Sequence, residues 1–148
     1  MSEIIRFYRV SEEHGCFSNF SRHSLWLKGK RWPTAEHYFQ AQKFAGTEHE
    51  EAIRMAKTPR IAADMGRDRK KPLRRDWEAV RDDVMREAVR AKFTQHADLR
   101  VILLATGTAL LVEHTVNDAY WGDGGDGSGR NMLGRILMEV REELRAGE

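Results

Sequence analysis

The spacing of apolar residues changes several times along the chain, and it predicts a mixed α and β structure. Residues 4–10 (IIRFYRV) are rich in β-branched and aromatic side chains and predict a strand. Residues 24–27 and 30–32 flank Lys28 and Gly29, a pattern typical of a β-hairpin with glycine in its turn. The N-terminal third therefore begins as β structure.

The middle of the chain switches to the period of helices, and each helix has its own start signal. Thr34 is a plausible N-cap for a helix over residues 35–45. Thr47 and Glu50 have the spacing of a capping box, which opens a second helix to about residue 57. Thr58-Pro59 then opens a short helix that Gly66 ends.

The second half of the chain predicts three further helices, over residues 72–93, 98–106 and 132–145, each with apolar side chains at helical spacing. Residues 109–116 fit either a strand or a helix tail, because their periodicity does not distinguish the two. The predicted fold class is α+β, a mostly helical single domain with a small antiparallel sheet.

Composition narrows the function classes. The chain has 148 residues, 41% hydrophobic and 32% charged, which is typical of one globular domain. No apolar run approaches the ~18 residues of a membrane span, and the N-terminus lacks a signal pattern, so no membrane partner is expected. The single cysteine, Cys16, cannot form an intrachain disulfide, which favours a cytoplasmic location. A net charge of +2 excludes nucleic-acid binding held by bulk charge alone.

A basic stretch over residues 67–75 contains six basic residues and one acid. One interpretation is a solvated loop. The other is a phosphate clamp, because guanidinium groups match phosphate oxygens, with Arg67, Arg69, Lys70 and Lys71 as candidates. Binding to duplex nucleic acid is a weaker form of the second interpretation.

A glycine-rich loop over residues 118–129 is the second candidate for binding chemistry. Five glycines beside Asp and Trp suit a backbone that a ligand approaches closely. Tyr120 and Trp121 could stack on a base, and Asn131 precedes a helix N-terminus, which attracts anions. A surface Ω-loop and a calcium site remain alternatives, although the EF-hand spacing is absent. No HExxH or CxxC pattern is present, so no metal is expected.

Six segments of the chain together resemble the YbiA-like family, also called the NADAR family. They are FSNF, GKRWPTAEHYFQAQKF, AADMGRDRKKPLRRDW, RAKFTQH, LLATG and LVEHTVNDAYWGDGGDGSGRNMLGRILMEVR. They follow the order of the family, and the resemblance as a whole covers residues from about 5 to 141. The resemblance implies an N-glycosidase that needs no cofactor. Its implied substrate is a phosphorylated ribosylamino-pyrimidine of riboflavin biosynthesis, cleaved to an aminopyrimidine and ribose 5-phosphate.

Two other functions stay open at this point. Other members of the family remove ADP-ribose from guanine in nucleic acid, which involves a bond of the same kind. A non-catalytic module that binds ADP-ribose or a nucleotide is the third hypothesis.

The resemblance also implies site residues. It assigns catalytic roles to Glu36, Lys30 and Asp118. It assigns substrate binding to the following residues, of which Trp77 also fits the apolar stripe of its predicted helix: Asn19, Phe20, Trp77, Trp121 and Gly122.

The chemistry fits Glu36, because cleaving an N-glycoside builds positive charge at C1 of the sugar and a carboxylate stabilises that charge. Glu36 is expected in the first turn of its helix, where the helix dipole favours the ionised form. A simple pair with Gln40 is the alternative.

Lys30 offers a second route, because ribosylamines open to imines that an amine can intercept as a Schiff base. Its neighbours Lys28 and Arg31 would help to keep the amine neutral. The alternative is an ordinary exposed hairpin lysine.

Overall fold

A computed structural model describes residues 3–147 of the chain. They form two compact units, one containing residues up to Ser21 and from Phe93 onwards, and the other containing Arg22–Lys92. The elements are β1 Ile4–Phe7, a 3₁₀ turn Gly15–Phe17, β2 Leu25–Leu27, β3 Lys30–Trp32, α1 Ala35–Gln42, α2 Glu48–Arg54, α3 Pro59–Gly66, α4 Trp77–Gln95, α5 Ala97–Ala105, β4 Leu110–Glu113 and α6 Met132–Ala146. This content confirms the α+β, mostly helical prediction. No helix within the described residues is long and apolar enough to cross a membrane.

The unit of residues 22–92 begins with the predicted hairpin. Strands β2 and β3 are antiparallel, with Leu25 opposite Trp32. Lys28 and Gly29 both have positive φ, 56° and 71°, as a tight two-residue hairpin turn requires. Trp32 is buried and donates from its indole nitrogen to the carbonyl of Leu27, which closes the hairpin at 2.9 Å.

The three helices that follow confirm the three predicted N-caps. The hydroxyls of Thr34, Thr47 and Thr58 each accept a backbone N–H from the first turn of α1, α2 and α3. The capping box itself does not form. The Thr47 hydroxyl accepts the N–H of His49 rather than that of Glu50, and the Glu50 carboxylate accepts the N–H of Gly46 at 3.1 Å rather than that of Thr47. Helix α2 also ends at Arg54, earlier than expected.

Helix α4 begins at Trp77, five residues later than the sequence pattern predicted. Residues 72–76 are held outside the helix by contacts with the end of α1. The backbone N–H of Arg74 donates to the Lys43 carbonyl at 3.0 Å, and its guanidinium pairs with Asp76 at 2.7 Å. Leu73, placed on the apolar stripe by periodicity, is consequently exposed.

The other unit contains a sheet that the sequence did not predict. Strand β4 resolves the ambiguity of residues 109–116, and it pairs parallel to β1 with Ile4 opposite Leu110. The predicted small antiparallel sheet is the β2–β3 hairpin, and this parallel pair is additional to it. The sequence did not predict it because the two strands lie far apart in the chain and their pairing leaves no local signal. Helix α6 packs on β4 and buries its predicted apolar face, Leu133, Ile136, Leu137, Val140 and Leu144.

Candidate active site

Helix α1 is buried along its whole length, although half of its residues are polar. All eight residues are buried, including Glu36, His37, Gln40 and Gln42. Buried polar side chains are rare unless other groups satisfy them, and a carboxylate is among the costliest to bury. This concentration of polar chemistry in the interior makes α1 the candidate active-site helix.

Glu36 lies in the first turn of α1, as predicted, and it is 6% exposed. Its carboxylate accepts a hydrogen bond from the Gln40 side-chain amide at 2.7 Å. The pair with Gln40 that the sequence offered as the alternative is therefore present, but it is buried rather than on the helix surface. Gly66 packs directly on that amide, because a Cβ at Gly66 would come within 2.1 Å of Gln40 Oε1. The geometry fixes the orientation of the carboxylate.

Gln40 Oε1 itself is buried and has no hydrogen-bond partner within residues 3–147. The amide therefore donates to Glu36 and leaves an acceptor unsatisfied, which costs about 1–3 kcal/mol. An unsatisfied buried polar group of this kind calls for an explanation, and a role in binding or catalysis is one.

Lys43 is the site residue that sequence reasoning missed. Its ammonium group lies 5.8 Å from the ring centre of Phe39 and 5.9 Å from that of Trp77, and it donates to the Gly66 carbonyl at 3.3 Å. Burial lowers the pKa of Lys43, the charge of Glu36 opposes that shift, and Arg67 adds to it. Helical spacing could have indicated Lys43 from the sequence. Lys43 follows Glu36 by seven residues, and residues seven apart lie on the same face of a helix.

Trp77 joins this cluster from the first residue of α4. It is 7% exposed, and its ring lies 5.1 Å from that of Phe39. Trp77 belongs to the core, and its ring also forms the wall against which the Lys43 amine lies. Substrate binding by Trp77 stays a prediction.

Some side chains of the basic stretch are bonded to other groups of the protein, whereas others are exposed. Lys71 bonds to the Met65 carbonyl and to Asp68, and Arg74 pairs with Asp76, so both are structural. The Arg67 and Arg69 side chains are exposed, and neither guanidinium has a hydrogen bond or ion pair within the described part of the chain. The charge of Arg67 acts on Lys43, which places the start of this stretch beside the Glu36 cluster.

Lys30 lies on β3 with its side chain half exposed, and it pairs with Glu51 at 3.4 Å. The hydrogen bond from Arg54, together with Lys30, lowers the pKa of Glu51 to about 2. Lys28 was expected to be a cationic neighbour of Lys30. Instead, Lys28 bonds to Gln42 and pairs with Glu50 at 3.7 Å. A catalytic role for Lys30 stays a prediction.

The other unit holds the residues predicted in the glycine-rich loop. Asp118 accepts the backbone N–H groups of Tyr120 and Trp121 on one oxygen, at 2.9 Å and 2.8 Å. This is an Asx turn, which positions the two aromatic rings at 83° to each other with centres 4.9 Å apart. The geometry gives Asp118 a positioning role over Tyr120 and Trp121.

Close packing explains the glycine after the aromatic pair. A Cβ at Gly122 would meet the Thr115 side chain at 2.8 Å and the Glu113 carbonyl at 2.9 Å. Asn131 secures the other end of the loop, since its side chain accepts the Glu113 N–H at 3.0 Å and donates to the Leu111 carbonyl at 2.9 Å. That amide is committed to strand β4, which favours a structural role for Asn131.

The FSNF segment lies in the same unit. Asn19 is buried at 8% exposure, and Phe20 is half-buried with its N–H donating to Ser18. Phe17 is fully buried and packs against Phe7 and Phe93, with ring centres 5.7 Å and 5.9 Å away. The segment is therefore anchored by Phe17 beside the two residues predicted to bind substrate.

A histidine–aspartate pair joins the glycine-rich loop to the residues that follow strand β4. Asp123 bonds to His114 Nδ1 at 2.8 Å and accepts the N–H groups of Thr115 and Gly125. Burial would raise the pKa of Asp123, but these three bonds hold it below its usual value. Among residues 3–147, no group of three or more His, Cys, Asp or Glu side chains is arranged to hold a metal ion.

Comparison with known proteins assigns a class to this arrangement. The chain is 60% identical over 141 residues to N-glycosidase YbiA of Escherichia coli, covering 95% of this chain and 88% of that protein. The NMR structure of E. coli YbiA matches with a TM-score of 0.92 and 58% identity, covering 99% of this chain and 88% of that one. A riboflavin biosynthesis protein of Vibrio vulnificus is 48% identical across 97% of this chain and 39% of its own length.

These relationships define an N-glycosidase, a hydrolase that acts on N-glycosyl compounds. Within that class, the chain belongs to the NADAR family, whose domain model matches residues 6–145.

The role of Asp118 can be tested with two variants, one that removes only its negative charge and one that also removes its hydrogen-bond acceptor. Asp118→Asn keeps the Asx-turn acceptor and is expected to retain most of the wild-type kcat/KM. Asp118→Ala leaves two loop N–H groups without an acceptor, so it is expected to lower the free energy of unfolding by about 1–3 kcal/mol and to lower activity. An Asn variant as inactive as the Ala variant would show that the carboxylate charge is required.

The buried ring of His37 predicts a pH dependence of stability. Its Nε2 lies 2.9 Å from the Ala56 carbonyl and its Nδ1 2.7 Å from the Thr34 hydroxyl, so the neutral ring donates to the former and accepts from the latter. Burial lowers the pKa of His37 from 6.5. The unfolded chain thus binds the proton more readily, and stability falls as the pH drops below about 6.5.

Urea unfolding at about pH 7.5 and about pH 5.5 measures this effect. The loss of unfolding free energy on acidification is expected to be smaller in His37→Gln than in wild type. His96→Gln, which removes a histidine outside this network, is expected to behave as wild type. Equal losses in His37→Gln and wild type would contradict the assignment.

Proposed function

We propose that the protein hydrolyses the C1–N bond of phosphorylated ribosylamino-pyrimidines and releases ribose 5-phosphate and an aminopyrimidine. The observation that carries this proposal is the cluster of a buried carboxylate, a half-buried amine and an exposed arginine at Glu36, Lys43 and Arg67. The names of the E. coli and Vibrio relatives, an N-glycosidase and a riboflavin biosynthesis protein, support the same substrate class.

The carboxylate suits the cleavage step. As the C1–N bond lengthens, positive charge develops on C1 and the ring oxygen, and a fixed anion beside them stabilises the transition state more than the ground state. Glu36 is held by Gln40 and shielded from water, so its charge acts in a poorly screening environment without reorganising.

The exposed guanidinium groups suit the other end of the substrate. Arg67 and Arg69 have no competing carboxylate within the described residues, and a guanidinium binds phosphate oxygens in two parallel hydrogen bonds. Arg67 acts electrostatically on Lys43, so a 5′-phosphate held there would leave its ribose facing the buried cluster. Water is the only second substrate that this hydrolysis needs.

The substrate assignment is tested by incubating the purified protein with a ribosylamino-pyrimidine phosphate and, separately, with ADP-ribosylated guanine in DNA. Faster release of ribose 5-phosphate from the first substrate is expected. Faster release of unmodified guanine from the second would replace the proposal with ADP-ribosyl-guanine hydrolysis.

Replacement of Glu36 tests the catalytic assignment. Glu36→Gln is nearly isosteric, but it removes the charge that faces the developing cation, so kcat is expected to fall by ~100-fold or more. The exposed Glu48→Gln is the matched control and is expected to retain wild-type kcat. A folded Glu36→Gln variant with at least about a third of wild-type kcat would contradict the assignment.

Charge reversal tests the phosphate site. Arg67→Glu and Arg69→Glu are expected to raise KM for the phosphorylated substrate far more than KM for its dephosphorylated analogue, because only the first carries the anion. Arg60→Glu changes the net charge equally from an exposed position on α3 and is expected to affect the two substrates alike. Equal effects of all three variants on both substrates would return the stretch to a solvated loop.

A further inference from the structure

We propose that Gly66, the last residue of α3, is a positioning residue for the carboxylate of Glu36 and acts through the side-chain amide of Gln40. This inference rests on the proposed N-glycosidase function, in which Glu36 stabilises the developing positive charge. It adds a residue on a second helix whose missing side chain sets the geometry of that carboxylate.

The backbone conformation of Gly66 does not explain why a glycine stands there. Glycines that end helices usually have a positive φ, which other residues adopt only at a cost. Gly66 lies within the last turn of α3 and does not have a positive φ, so alanine would fit its conformation. Alanine is also the better helix former of the two. The reason for the glycine therefore lies in its surroundings.

The surroundings of Gly66 leave no room for a side chain. A Cβ there would come within 2.1 Å of Gln40 Oε1 and within 2.7 Å of Gln40 Cβ and Cδ. Rotation of the amide could relieve the contact with Oε1, but Gln40 Cβ is fixed to the backbone of α1. A side chain at position 66 would therefore displace the Gln40 amide and also press α3 away from α1.

The orientation of the Gln40 amide depends on this close approach. An ionised carboxylate only accepts hydrogen bonds, so the amide NH₂ group must face Glu36, at 2.7 Å, and Oε1 must point elsewhere. Oε1 lies against Gly66 and has no hydrogen-bond partner among residues 3–147. No bond to Oε1 holds the amide in place, so the contact with Gly66 is what keeps the donor against the carboxylate.

A second contact fixes Gly66 itself. Its carbonyl accepts a hydrogen bond from Lys43 Nζ at 3.3 Å, and Lys43 follows directly after α1. This bond ties the end of α3 to α1 beside the place where Gly66 meets Gln40. The hydrogen bond to Glu36 therefore depends on the distance between two helices, and Gly66 permits that distance.

The consequence for the reaction is geometric. A fixed anion stabilises a transition state because it does not reorganise as the charge develops. A displaced amide would release the carboxylate, and a misplacement of about 1 Å can cost about 100-fold in rate. Loss of the amide should lower kcat far more than it raises KM, because the carboxylate acts on charge that exists only in the transition state.

A double-mutant cycle tests whether Gly66 acts through Gln40. Gly66→Ala and Gln40→Ala are each expected to lower kcat by about 100-fold, with KM changed far less. In the double variant, Gly66→Ala is expected to lower kcat no further, because the amide that it displaces is already gone. Gly147→Ala is the matched control, since it also lies at a helix end where a Cβ would make only ordinary contacts, and it should retain wild-type kcat.

Urea unfolding of the same variants separates activity from stability. Cβ remains at position 40 in Gln40→Ala, 2.7 Å from the new methyl group, so Gly66→Ala is expected to lower the unfolding free energy in both backgrounds. A folded Gly66→Ala variant with wild-type kcat would overturn the proposal, and so would equal losses of kcat in the two backgrounds. If Gly66→Ala does not fold, Gln40→Met decides, because it keeps the length of the side chain without the donor; wild-type kcat in that variant would overturn the proposal.

An NMR measurement separates this proposal from the proposed function, since it needs no turnover. The side-chain NH₂ signals of Gln40 are expected downfield of those of the exposed Gln95, because a carboxylate accepts from the first. They should move toward the Gln95 position in Glu36→Ala and in Gly66→Ala. This result without hydrolysis of the ribosylamino-pyrimidine phosphate would overturn the proposed function and leave the positioning contact. Hydrolysis with Gln40 signals that do not move in Gly66→Ala would overturn the role of Gly66 and leave the N-glycosidase.

Discussion

Burial of charge on a helix with no exposed face is the constraint on which the candidate site depends. Helix α1 places Glu36 in the interior, and Lys43 follows directly after the helix, close enough for each charge to act on the other. Taking either charge out of water alone would cost several kcal/mol. The Gln40 amide, the aromatic rings around Lys43 and the glycine at position 66 all serve to make that burial tolerable.

The burial of polar groups on α1 also explains where α3 ends and where α4 begins. Gly66 ends α3 where any side chain would collide with Gln40, and its carbonyl also accepts from Lys43. The segment before α4 stays outside the helix because Arg74 binds the last carbonyls of α1. Trp77 can then begin its helix at the position that brings its ring against Phe39 and the amine.

Local signals in the sequence predicted much of this fold, and the remainder depends on contacts between distant residues. The caps at Thr34, Thr47 and Thr58 were predictable because a cap involves residues only two or three positions apart. The late start of α4 and the parallel pairing of β1 with β4 were not predictable, since both are set by residues far away in the chain.

The candidate site divides in the same way. The family resemblance indicated Glu36, and helical spacing offered Gln40 as its partner. Lys43 was overlooked because its identity as a site residue comes from ring faces contributed by Phe39 and by Trp77, 34 positions further along the chain. For Asp118 and Asn131 the sequence indicated importance, but only the hydrogen bonds show that their polar atoms are used by the backbone.

The glycine-rich loop holds its shape through its own carboxylates. Asp118, Asp123 and Asp126 each accept backbone N–H groups a few residues away, so a segment with five glycines has few conformations left. Binding of a ligand to a flexible loop loses affinity to the entropy of ordering it. Here that entropy has already been lost during folding, and the loop holds the rings of Tyr120 and Trp121 in one fixed arrangement.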